Sequence, residues 1–154
     1  MDEYEILLQH AADCGLTVIE DFPMESEALG LIFGNTIALS SSLETSAEKA
    51  CVLAEEIAHA ELTVTDITDM SRWQSRHEEI KARRQSHDRL INISGLLDAY
   101  KSGYQNRYEA AKYLGVTEDF LQAAVDEYIA RYGPVIVDSN YIITLNPIGI
   151  FSRF

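Results

Sequence analysis

Residues 45–62, TSAEKACVLAEEIAHAEL, decide the fold. Thr45 stands three residues ahead of Glu48, the spacing of a capping box, and the alanines and leucines that follow favour helix. Ala50, Cys51, Leu53, Ala54, Ile57, Ala58 and Leu62 make that helix apolar over more than half its circumference, so it is expected to be the central, most buried one. Set among them are Glu55, Glu56 and His59, an E-E-x-x-H string. Residues four apart lie about 40° apart around a helix and one turn along it, so Glu55 and His59 present side chains to one spot. Glu56 lies about 100° further round.

Outward from this helix the pattern changes. Tyr4, Leu7, Leu8, Ala11 and Ala12 recur at helical spacing up to Gly15, a glycine stop. Leu16 to Glu20 and Leu29 to Leu39 are rich in apolar and β-branched residues, the latter broken at Gly34-Asn35, which predicts a strand followed by a hairpin in a small sheet. Arg72 to Ile91 reads as a helix holding most of the bases, usually a solvated face, with room for one arginine turned toward the acidic half. Three further helices are expected over 94–101, 108–114 and 117–132, with Thr117 as a cap and Gly133-Pro134 as the final stop. Val135 to Val137 and Tyr141 to Leu145 then pair as a terminal hairpin. The expected class is α+β: a small N-terminal sheet, a motif-bearing central helix, a helical middle and a C-terminal β-hairpin, in a single domain over residues 1–154.

Net charge is −13, placed unevenly: residues 1–70 hold fifteen acids against Lys49 alone, and residues 71–154 hold ten acids against eleven bases. A field of that sign repels phosphate backbones, so direct nucleic-acid binding is not expected. Arg107 to Tyr128 has a helix-turn-helix look, but its second helix opens on Thr117, Glu118 and Asp119 rather than on bases and amides, and it reads as a packing module. Two cysteines, Cys14 and Cys51, offer no disulfide framework. Short, interrupted apolar runs and an acidic start point to a cytoplasmic protein with no membrane role; nothing indicates an oligomeric state.

The chemistry sits in the string. Adjacent carboxylates in an apolar helix need a partner to offset their desolvation, which a metal ion supplies, as would Arg76, Arg83 or exposure to solvent. Glu55 and His59 give two ligands, and Glu79 on the next helix completes three if the two helices fold antiparallel. Glu56 then occupies the general-base position of the zinc-peptidase motif. One imidazole and two carboxylates rank zinc first, with manganese or ferrous iron as rivals. The string alone is weak, because the first histidine of the strict motif is missing. His10, His77 and His87 are poorer ligand candidates.

The segments CVLAEEIAHAELTVTDITD (51–69), RHEEIKARRQSHDRLI (76–91) and NRYEAAKYLGVTEDFLQAAVDEYIARYG (106–133) closely resemble the ImmA/IrrE family of metallopeptidases, in the branch encoded by phages and prophages of Gram-positive bacteria. YEILLQHAADCGLTVIED (4–21), GLIFGNTIALSS (30–41) and NYIITLNPIGIF (140–151) follow the same order, so the likeness covers nearly the whole chain. The resemblance implies a compact α+β peptidase domain, a zinc site and cleavage of a phage or prophage repressor or similar regulatory protein. By position, Glu56 matches the family's catalytic glutamate, His59 its second histidine ligand and Glu79 its glutamate ligand. Glu55 stands where the wider family has its first histidine, Ala58 where it usually has glycine, and Ala60 where the phage branch often has histidine or tyrosine. Those departures motivate an alternative: an inactive, antirepressor-like interaction module that keeps the peptidase fold. Arg83 and Tyr113 are the residues considered for an added oxyanion donor.

Overall fold

The computed structural model describes residues 1–62, 72–104 and 106–153, with 72–75 by backbone alone. The chain divides into two compact units, 1–90 and 91–154.

In the first unit, α1 (Glu3–Asp13) is opened by Asp2, whose carboxylate accepts from the Glu5 N–H at 2.8 Å, while the Glu5 side chain accepts from the Asp2 N–H. The sheet consists of β1 (Thr17–Phe22), β2 (Gly30–Phe33) and β3 (Thr36–Ser40) in the order β1-β3-β2, with β1 parallel and β2 antiparallel to β3. The hairpin expected around Gly34-Asn35 is β2–β3, with Gly34 in the left-handed region at φ 60°. Gly30 is paired with Leu39 and Ile32 with Ile37, so alternate residues of both strands share one face.

Helix α2 (Ser46–Leu62) packs against α1, β2, β3 and α3 (Arg72–Leu90). The capping box forms: the Glu48 N–H donates to Thr45 Oγ1 at 3.1 Å, and the Thr45 and Glu44 N–H groups donate to Glu48 Oε2 at 3.2 and 2.7 Å. Those backbone donors hold the Glu48 carboxyl below its ordinary range. Ala50, Leu53, Ala54, Ile57 and Ala58 are fully buried. Each large aliphatic side chain so buried contributes roughly 1.5–3 kcal/mol of hydrophobic stabilisation. Helix α3 has no apolar stripe; its buried positions are Ala82, Ser86 and His87, with Leu90 at the end.

The second unit holds α4 (Asn92–Lys101), α5 (Arg107–Leu114) and α6 (Glu118–Tyr132), then β4 (Val135–Val137), β5 (Tyr141–Leu145) and β6 (Ile148–Ser152). Asn106 and Thr117 cap α5 and α6, and Gly115 ends α5 in the left-handed region. Ala110, Ala111, Leu114, Val116, Leu121 and Val125 are buried, so the helix-turn-helix segment packs as a core element. Its start is occupied from within: Arg107 bonds Glu118 at 3.3 Å and Gln122 at 2.6 Å. The C-terminal hairpin β4–β5 gains a third antiparallel strand, β6, beyond the Asn146-Pro147 turn. Among the described residues, no helix is long and apolar enough to cross a membrane. The fold class is α+β.

Candidate metal centre

Glu55 and His59, one turn apart on α2, meet Glu79 from α3. His59 Nε2 lies 3.1 Å from Glu79 Oε2, and one donor atom from each of Glu55, His59 and Glu79 falls within 4.8 Å of the others. Along the two helices the order is reversed, His59 beside Glu79 and Glu55 beside Arg83, as the antiparallel packing requires. Arg83 turns toward this cluster, its Nε 3.7 Å from Glu55 and 3.6 Å from Glu79, while Arg89 turns toward Glu61 further along α2. Arg76 stays exposed.

The electrostatics of this cluster follow from its geometry. Glu55 is pushed up from 4.5 to about 7, first by burial and then by sharing a proton with, and being repelled by, Glu79; Arg83 offsets part of this. Arg83 is itself well exposed, and water screens its effect. Burial also raises the Glu56 carboxyl; His59 opposes that, and Glu55 and Glu79 add to it. Glu55 and Glu56 are thus both held where losing a proton is costly.

This has a measurable consequence for the metal-free protein. Because the folded Glu55 holds its proton to a higher pH than the unfolded chain does, its contribution to stability is full below about pH 4.5 and is lost as pH rises toward 7. Thermal unfolding in chelator should therefore show a Tm that declines across that window in the native protein. The decline should be shallower in Glu55→Gln, and parallel profiles would remove Glu55 from the account.

Gly30 is the residue that the sequence patterns did not single out. A Cβ at this position would lie 2.8 Å from Cγ and Oε1 of Glu56 and 2.8 Å from Cγ1 of Val52. The strand backbone thus passes directly over the Glu56 side chain, and only glycine leaves space for it. A glycine inside an otherwise apolar strand pattern was the available signal, since it marks a close approach.

The other histidines lie elsewhere. His10 contacts Glu61 and Cys14, His87 is buried, and His77 is exposed on α3. Tyr113 belongs to the second unit, where its ring stacks on Tyr104 at 4.8 Å. A cavity of about 550 Å³ in that unit is lined in part by Arg107, Glu118 and Gln122, which bond one another.

The donor set fits a divalent cation. A carboxylate raised to about 7 by burial and then by the second carboxylate beside it, with an imidazole alongside, forms an arrangement that a cation relieves by replacing the shared proton. All three side chains keep 22–40% of their surface exposed, so the cluster is reachable by solvent.

Residues 12–126 match the family model of the IrrE N-terminal-like domain, peptidase family M78. Among curated proteins the sequence has no match. The peptidase family and the donor cluster together support a metal-dependent hydrolase. With a match that takes in both the motif-bearing helix and Glu79, the chain belongs to the IrrE N-terminal-like peptidase family.

Proposed function

We propose that this protein is a metal-dependent endopeptidase whose two units act as one domain and whose substrate is a phage or prophage repressor or a similar regulatory protein. The observation that carries the reading is the meeting of Glu55 and His59 from α2 with Glu79 from α3, with Glu56 next along the helix. The substrate class rests on the family and on the resemblance to its phage and prophage branch.

Glu55, His59 and Glu79 hold the cation, zinc in the first place, with manganese and ferrous iron as rivals for a set with two carboxylates. When bound, it supplies Lewis-acid polarisation of the scissile carbonyl and of the attacking water. Glu56 takes the water proton on its carboxylate and passes it to the leaving amine. Gly30 keeps that carboxylate in place. Arg83 is close enough to Glu55 and Glu79 to limit their repulsion.

The test is incubation of zinc-loaded protein with the repressor of the mobile element that encodes it. Discrete fragments that disappear with chelator are expected. An intact repressor in the presence of folded, metal-loaded protein would overturn the reading. If the repressor is then bound equally with and without metal, the antirepressor-like module takes its place.

A further inference from the structure

A second cluster of ligand-type side chains lies on the other side of α2. His10 and Cys14 are four residues apart and therefore one turn apart on α1. His10 Nε2 lies 3.0 Å from Glu61 Oε1 and 3.6 Å from Cys14 Sγ, and the three donor atoms are within 4.8 Å of one another. Glu61 is two positions beyond His59, about 200° around the helix, so the two clusters face different directions.

We propose that His10, Cys14 and Glu61 form a second divalent-cation site, independent of the peptidase centre and suited to a thiophilic ion such as zinc. A tetrahedral zinc with ordinary bond lengths separates a nitrogen ligand from a sulfur ligand by about 3.6 Å and from an oxygen ligand by about 3.4 Å. The His10–Cys14 distance matches the first, and the His10–Glu61 hydrogen bond, at 3.0 Å, has to open by only about 0.4 Å to reach the second. An ion pair between His10 and Glu61 alone would not require the thiol to approach the same ring nitrogen.

Glu61 is also oriented as a ligand needs. Arg89 Nη2 donates to both of its oxygens, at 3.0 and 2.9 Å, and Gln85 Nε2 donates to Oε2. These bonds fix the carboxylate plane from α3 while Oε1 faces His10. Binding displaces the Cys14 proton to solvent, so the thiolate and the Glu61 carboxylate together balance the two positive charges of the ion, and Arg89 keeps its own charge beside them. Thiolate and imidazole favour zinc over magnesium, calcium or manganese. A cavity of about 430 Å³ borders the cluster, lined by Cys14, Ile32, Gly34 and Glu61 among others, and gives an ion and its water access. Bound there, the ion ties α1 to α2.

Cobalt(II) titration of the full chain separates the two sites. Only a sulfur ligand gives a near-ultraviolet thiolate-to-cobalt charge-transfer band, and the Glu55, His59 and Glu79 set has no sulfur. The expected result is two equivalents in the native protein with the band present. One equivalent without the band is expected in Cys14→Ser, and one with it in the His59→Ala, Glu79→Ala double variant. Absence of the band from the native protein, or its persistence in Cys14→Ser, overturns the proposal. Cys14 is exposed, so the serine variant should fold, and a second readout uses the native thiol. Zinc should slow maleimide labelling of Cys14 at least tenfold, and an unchanged rate also overturns the site.

Discussion

Replacing Glu56 by glutamine should abolish repressor cleavage while leaving the fold and the bound metal in place. The amide has nearly the shape of the carboxylate but cannot take a proton from water, so the loss falls on the proton transfer itself. General acid–base groups contribute typically about 10²–10⁴ in rate, and a decrease of that size in kcat with little change in KM is the expected signature. Burial raises the Glu56 carboxyl, so removing its charge relieves a desolvation cost, and the variant should be at least as stable as the native protein. Cleavage by Glu56→Gln at the native rate would exclude Glu56 as the base.

Gly30→Ala should also be strongly damaging, although the residue carries no side chain of its own. Its Cβ would sit 2.8 Å from Glu56 and Val52 atoms, closer than carbon atoms approach in practice. Val52 is β-branched and stiff, whereas the Glu56 side chain can swing, so the carboxylate is the group displaced. Moving a reacting group by about 1 Å can cost on the order of 10² in rate, and overpacking costs roughly 1–3 kcal/mol in stability. A companion change, Val52→Ala, should recover part of the stability but little of the activity, because it frees space beside the valine and not beside the glutamate. Native activity in Gly30→Ala, measured with the cleavage assay and a thermal melt side by side, would show that Glu56 does not need the strand above it.

The architecture was legible where a local rule and a tertiary demand agreed. Thr45 and Glu48 announce α2, Gly34-Asn35 the β2–β3 hairpin, and Thr117 the start of α6. Strand β6 was missed because Ile148 to Phe151 is a short apolar run at the end of the sequence, with no partner signal until β5 is seen to have a free edge. In the centre, helical spacing brought Glu55 and His59 together. Glu79 required knowing how α3 folds back on α2. The role of Arg83 could not be separated from five other bases on a helix without an apolar stripe. The contact between Gly30 and Glu56 spans a strand and a helix with no sequence signature linking them, and the same holds for His10, Cys14 and Glu61.

The account stands on Glu55, His59 and Glu79 holding a cation, and the most direct test is metal content. Native protein and the His59→Ala, Glu79→Ala double variant, each reconstituted with zinc, manganese or ferrous iron and dialysed briefly against a weak chelator, would be compared by elemental analysis. The variant should retain one equivalent fewer than the native protein and should cleave nothing. Equal metal in the two, with both folded, would contradict the assignment of the centre.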